Sequence, residues 1–186
     1  MSAKGEVVSH KGRKAMRLAA EPGADQVVRV SGPAFGDGTI EVDMTGEPGA
    51  GAGEAARGFV GLAFRVNEDA SKYELFYLRP TNGRAEDQVR RNHSLQYVSH
   101  PDFPWPRLRK EFPEKYESYA DLAPGEWTRV KITVKGDKAR LYVNGVEQPS
   151  LMVNDLKLGA GAKGGIALWI GPGTLAHFSN LRVTTD

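Results

Sequence analysis

The sequence contains no cysteine, which excludes disulfides, thiolate metal sites and a cysteine nucleophile. It also lacks a surplus of either charge. Its 25 basic side chains face 23 acidic ones, for a formal net charge of +2, and that balance offers no footprint for a nucleic acid or an anionic membrane. Long apolar runs are missing as well. The longest uncharged stretch, Gly164 to Leu181, is interrupted by Gly171, Pro172 and Gly173, so it is expected to form two strands and a turn, not a membrane span. The opening MSAKGEVVSHKGRK has no apolar core of the kind a secretory signal needs, which predicts either a cytoplasmic protein or one whose signal has been removed. No helical periodicity extends beyond a turn or two, and no repeat of solenoid or propeller type is present.

What is present is turn chemistry and period-two alternation. Glycine is abundant, at 22 residues, with 11 prolines, and turn signals recur about every ten residues, the spacing of a β-sandwich. In FGDGTIEVDM, Ile40, Val42 and Met44 alternate with Thr39, Glu41 and Asp43, the mark of a half-buried strand. The Gly/Ala-rich Gly46 to Gly58 is expected to be a mobile loop. In GFVGLAFRV, Val60, Leu62, Phe64 and Val66 face one way, and the small Gly61 and Ala63 leave room on the other face. YELFYLRP is apolar or aromatic on both faces, with Tyr73, Leu75, Tyr77 and Arg79 on one and Glu74, Phe76 and Leu78 on the other. Such a strand is central and covered on both sides. WTRVKITVKGDKARLYVNG predicts a hairpin pairing Val130, Ile132 and Val134 with Ala139, Leu141 and Val143.

The strands GTIEVDM, GFVGLAFRV, EWTRVKITVKGDKARLYVNG and ALWIGPGTLAHFSNLRV resemble the core of concanavalin A-like, or laminin-G-like, jelly rolls. The chain is most similar to the bacterial 3-keto-disaccharide hydrolase domain family, over roughly Val7 to Val183. The resemblance implies an all-β fold, a jelly-roll sandwich of two antiparallel sheets, one of them curved with a carbohydrate site on its concave face. It also implies an exported protein of sugar metabolism, and a single domain over residues 1–186.

One stretch departs from simple alternation. Arg84 to Asp121 interleaves matched basic and acidic side chains with aromatics and with prolines at 101, 104, 106 and 113. Matched charges predict internal ion pairing, and the prolines exclude a continuous helix across Pro101 to Pro113. RRNHSLQYVSH is expected to be a strand with Arg91, His93, Leu95 and Tyr97 on one face and Arg90, Asn92, Ser94 and Gln96 on the other. Planar polar side chains beside aromatic rings suit sugar hydroxyls and C–H faces. The candidate ligand-binding residues are therefore Tyr77, Arg79, Arg91, Asn92, Gln96, Tyr97, Trp105 and Trp169, with Trp105 and Trp169 as cleft walls.

Glycosidases usually need two carboxyl groups. The nearest string to a glucanase motif, Glu41-Val-Asp43-Met-Thr-Gly-Glu47, has Thr45 where the third acid belongs. The remaining catalytic candidates are His93 as base and Glu74, Glu117 or Asp121 as acid. Metal motifs are absent, so no cofactor is predicted; a structural calcium on Asp37, Asp43 or Asp186 is left open. The leading expectation is a small saccharide bound on the concave face, with cleavage of a 3-keto glycoside as its catalytic form. A non-catalytic glycan-binding module and a laminin-G-type protein-interaction domain are the alternatives.

Overall fold

Residues 5–186 are described by the computed structural model. Its strands are β1 (Glu6–His10), β2 (Arg13–Ala19), β3 (Gln26–Phe35), β4 (Gly38–Pro48), β5 (Val60–Val66), β6 (Tyr73–Leu78), β7 (Leu95–His100), β8 (Glu117–Ser118), β9 (Thr128–Lys135), β10 (Lys138–Val143), β11 (Leu151–Val153), β12 (Gly164–Ile170) and β13 (Thr174–Thr185). Two short helices, α1 (Gln88–Asn92) and α2 (Trp105–Glu111), interrupt them. A seven-stranded sheet runs β1-β2-β13-β4-β9-β10-β11, and a six-stranded sheet runs β3-β12-β5-β6-β7-β8. This is the all-β, two-sheet antiparallel jelly roll that the family resemblance implies, built from the strands that the alternation predicts.

The core follows from period two. Ile40 pairs with Ile132 and Val42 with Val130 on the inner face of the seven-stranded sheet. Leu62 pairs with Phe76 and Val60 with Leu78 on the inner face of the other. All eight are at most 2% exposed, and each large apolar side chain so buried contributes about 1.5–3 kcal/mol. The predicted β9–β10 hairpin forms with Val134 opposite Ala139, Ile132 opposite Leu141 and Val130 opposite Val143.

Two local expectations are corrected. The register of β5 against β12 shifts between Gly165 and Ala167, where Arg65 adopts a left-handed φ of 54°; the bulge interrupts the alternation before Val66. Arg65 is fully buried there, donating to the carbonyls of Gly36, Gly136 and Gly159. The second correction concerns RRNHSLQYVSH, which is not strand throughout. The Asp87 side chain accepts from the Val89 and Arg90 amides, capping α1, and pairing with β6 begins only at Leu95.

Candidate functional site

The registers of the six-stranded sheet place Glu117, Gln96, Tyr77, Gly61, Trp169 and Val27 in one row across all six strands, on the face turned away from the core. A second row carries Val98, Leu75, Ala63 and Ala167, and His100 lies opposite Tyr73 at the next step. Four connections arch over this face: Pro22 to Asp25, Gly53 to Phe59, Pro104 with Trp105, and Pro172 with Gly173. They border an open cavity of about 610 Å³ floored by Tyr73, Leu75, Tyr77, Val98 and Trp169.

Gly61 shapes the floor. A Cβ there would lie 2.6 Å from Tyr77 Cβ, and the rings of Tyr77 and Trp169 approach to 5.0 Å between centroids. The room foreseen over Gly61 is thus taken by this aromatic pair. The indole Nε1 of Trp169 is buried without a hydrogen-bond partner. Near it, Asp25 lines the cavity; desolvation by the cavity wall pushes its carboxyl up, and the charge of His100 opposes the shift. Burial, with the Asp25 charge adding to it, pushes the Tyr73 phenol up to about 12, so its hydroxyl stays protonated. His100 stacks on Tyr73 with centroids 4.7 Å apart.

At the other end lies a polar cluster that shares Tyr77 and Trp105 with the cavity wall. Arg79 Nη2 donates to the Tyr77 hydroxyl at 2.7 Å and to Gln96 Oε1 at 3.0 Å. Its Nη1 donates to the His93 carbonyl at 2.8 Å and to Glu117 Oε1 at 3.5 Å. Arg109, from α2, donates through Nε to Glu117 Oε2 at 3.0 Å and through Nη2 to Oε1. His93 Nε2 is 3.6 Å from Glu117 Oε2. Desolvation lowers the His93 imidazole below its ordinary value, with Glu117 opposing the shift, so the ring is neutral at pH 7. Trp105 lies beneath the Arg109 guanidinium at 4.6 Å, with Arg79 at 5.9 Å.

The structure therefore brings Tyr77, Arg79, Gln96, Trp105, Trp169, His93 and Glu117 to one face. It does not bring the others. Tyr97 and Glu74 lie on the opposite, inner face, because β7 and β6 pair Tyr97 with Phe76 and Ser99 with Glu74. There the Tyr97 hydroxyl donates to Glu74 Oε2 at 2.6 Å, and the Leu158 amide donates to Oε1 at 2.8 Å. Arg91 and Asn92 sit on or beside α1. Arg91 bonds the Tyr119 hydroxyl and Asn92 accepts from Gln88. Asp121 is in an exposed pair with Arg84. The suggested calcium ligands are engaged elsewhere, Asp37 by Arg65 and the Gly136 amide and Asp43 by Arg13 and Asn180. Among the described residues no three His, Asp or Glu side chains gather in a way that would hold a metal. Asp25, Tyr73, His100 and Arg109 were not foreseen. Tyr73 shares its sequence face with Tyr77, which was a usable signal; Asp25 sits in a turn that nothing in the sequence folds over the sheet.

An antiparallel jelly roll with an aromatic-floored cleft roofed by loops on one sheet is the class these features define. The chain belongs to the 3-keto-alpha-glucoside-1,2-lyase-like domain family, whose model matches residues 17–184. Among solved structures it is similar to the carbohydrate binding module CBM66 from Bacillus subtilis, at 15% identity over 97% of this chain and 92% of that one, with a TM-score of 0.65. It is also similar to the Bacillus licheniformis beta-glucanase, at 12% identity over 100% and 90% of the two chains and a TM-score of 0.57. A galectin from Caenorhabditis elegans superimposes at 11% identity over 89% and 95%, with a TM-score of 0.50. No curated protein matches the sequence.

Proposed function

We propose that this chain binds a saccharide of mono- or disaccharide size in the cleft of its six-stranded sheet. The observation that carries the reading is the open cleft of about 610 Å³ whose floor combines Tyr73, Tyr77 and Trp169 with an unpartnered indole N–H. Its size is ordinary for a small-ligand site. Sugar C–H faces pack on such rings, and the hydroxyls find Trp169 Nε1, the Tyr73 hydroxyl and Asp25 around the rim. Membership of the 3-keto-alpha-glucoside-1,2-lyase-like family and the similarity to the Bacillus subtilis carbohydrate binding module support it. In this reading residues 1–186 are one domain, and the stretch 84–121 is an insertion that builds one wall. Titration calorimetry against a panel of mono- and disaccharides tests it. Trp105→Ala, at a residue 43% exposed, is expected to weaken the best ligand roughly tenfold or more. Loss of no measurable affinity in either Trp105→Ala or Trp169→Phe would sink the cleft assignment.

A specific observation favours a catalytic form. His93 is neutral, has its Nε2 3.6 Å from Glu117 Oε2 and belongs to the polar cluster that shares Tyr77 and Trp105 with the cavity wall. An ordinary carboxylate pair is not available. Asp25 is the one carboxylate among the residues that line the cavity, and Glu117 is engaged by Arg79 and Arg109, whereas glycosidases use two carboxyl groups about 5–9.5 Å apart. A 3-keto sugar removes that need. The ketone acidifies the neighbouring C–H, and His93 takes that proton. The C–H electrons form the C=C bond as the glycosidic C–O bond breaks, and the imidazolium returns the proton to the leaving oxygen. In a turnover assay on plain and 3-keto disaccharides, His93→Gln is expected to lower turnover of the 3-keto substrate at least a hundredfold. Unchanged turnover would remove His93 from the reaction.

A further inference from the structure

We infer that the saccharide carries an acidic group, a carboxylate on the sugar, which the cleft holds at its arginine end beside Trp105. The inference rests on the saccharide reading above and names the substrate class for that same cleft.

The charges at that end do not cancel. Glu117 is one carboxylate serving two guanidinium groups, Arg79 and Arg109. Its side chain is only 4% exposed and that of Arg79 6%, while that of Arg109 is 35% exposed, so the cluster is only partly open to water. Two more guanidinium groups stand close by. Arg57, in the loop that roofs the cavity, donates only to the Glu54 and Ala56 carbonyls of its own loop. Arg90, on α1, has the Asn82 side-chain oxygen at 3.5 Å. Asp87, which caps α1, adds a second negative charge near His93, so two carboxylates face the four guanidinium groups, and His93 contributes no charge at pH 7.

These cations feel one another. Burial holds the Arg57 guanidinium below the usual arginine value, and Arg90 and Arg79 lower it further. Burial does the same to Arg79; Tyr77 and Glu117 oppose the shift and Arg109 adds to it. A desolvated excess of one sign is unfavourable until an opposite charge enters. A ligand carboxylate supplies that charge, and Arg recognises it through paired N–H donors.

Geometry gives the carboxylate a place. Trp105 lines the cavity and carries Arg109 over its ring. Arg109 Nη1 has no protein acceptor among the described residues, because Nε and Nη2 take both bonds to Glu117. A sugar ring against Trp105 presents its exocyclic group to that free donor. At the far end Asp25 lines the cavity and repels an anion, so the two ends fix one orientation.

Calorimetry on the whole chain tests this with three probes: a disaccharide containing a uronic acid, its neutral parent, and the parent's 6-phosphate. The uronate is expected to bind roughly tenfold tighter than the parent at low salt, with the advantage shrinking as salt rises. Arg57→Gln and Arg109→Gln should each reduce that advantage. Lys138→Gln, which removes an exposed positive charge from the other sheet, should preserve it. Equal or weaker binding of the uronate than of the parent overturns the inference and leaves the saccharide reading standing. Binding of the phosphate without the uronate overturns the assignment to a carboxylate. If no saccharide of any kind binds, the saccharide reading itself falls.

Discussion

Both sheets carry a tryptophan with a buried, unpartnered indole N–H on the face away from the core, yet only one of the two faces forms a cleft of ligand size. On the seven-stranded sheet, Trp127 meets the His10 ring edge-on at 5.7 Å and carries Arg13 over its face at 4.9 Å. Asp43 closes the space in front of it through Arg13, Arg129 and Asn180, leaving about 240 Å³ lined mostly by charged and polar groups. On the six-stranded sheet Trp169 faces about 610 Å³ of largely aromatic and aliphatic surroundings. An aromatic residue is a platform for a ligand only where the protein has not already stacked and ion-paired over it. The two faces also differ in how far water reaches their charges. Asp43 and Glu117 are both buried and each meets two arginines, but those of Asp43 are 39% and 68% exposed, whereas Arg79 and Arg109 at Glu117 are 6% and 35% exposed.

The largest expected effect comes from breaking the buried side of that contrast. Arg79→Met leaves Glu117, Gln96 and the Tyr77 hydroxyl short of a donor inside the sheet. Removing one partner of a buried, hydrogen-bonded charge pair costs about 3–5 kcal/mol. Arg129→Gln removes a partner of Asp43 whose side chain is 68% exposed, and exposed pairs contribute about 0–1 kcal/mol. Urea unfolding of both variants measures the difference. Equal midpoints would mean that the Arg79 cluster is solvated and that the contrast between the faces is false.

The same contrast explains what the sequence could and could not reveal. Alternation placed Ile40, Val42 and Met44 inside and matched β9 to β10, because the two faces of those strands differ sharply in polarity. YELFYLRP is apolar on both faces, so alternation alone could not say whether Tyr77 or Phe76 faces the core; that follows only from the partners Gly61 and Leu62. Tyr97 was misplaced for the same reason. Arg90 to His93 are polar on every face, so neither period was legible, and the deciding signal was local, the Asp87 cap. The roof was illegible because Pro22 to Asp25 and Gly53 to Phe59 are separate turns whose meeting over β6 is a consequence of sheet order. The Arg79–Glu117–Arg109 cluster joins the residue just after β6 to residues of β8 and α2, and no spacing rule connects them.

A smaller effect is expected on acidification, and it belongs to the seven-stranded sheet. His177 stacks on His10 at 3.7 Å, and its Nδ1 lies 3.2 Å from the Thr45 hydroxyl. Burial first, then the charges of His10 and Arg17, depress His177 from 6.5 to about 4. The folded state therefore resists a proton that the unfolded chain accepts. Stability from this group is fully present above about pH 6.5 and is lost as the pH falls towards 4. The loss is on the order of 2 kcal/mol, and His177→Gln should flatten the profile across that window. Asp155, held at about 2 by Lys115, Tyr116 and Lys157 against the effect of burial, loses its contribution only at lower pH. The two are separable in acid titrations followed by circular dichroism, and an unchanged slope in the His177 variant would refute the assignment.

The smallest effect sharpens the comparison on the cleft side. The Lys157 ammonium lies over three rings, Phe103 at 5.2 Å and Phe112 and Tyr116 each at 4.9 Å, and bonds Asp155 at 3.0 Å. Phe103 and Phe112 flank α2, which carries Trp105 and Arg109 into the wall of the cleft. Lys157→Met removes the cation but keeps an apolar stem, and Asp155 keeps Lys115 and the Tyr116 hydroxyl. The cost should be about 1 kcal/mol. Lys131→Met removes a single contact, over Tyr142 at 4.3 Å on the other sheet, and should cost about half as much or less. The discriminating measurement is ligand affinity. If α2 is positioned by this cage, Lys157→Met weakens saccharide binding severalfold and Lys131→Met leaves it unaltered; equal affinities in the two variants would show that Trp105 holds its place without the cage.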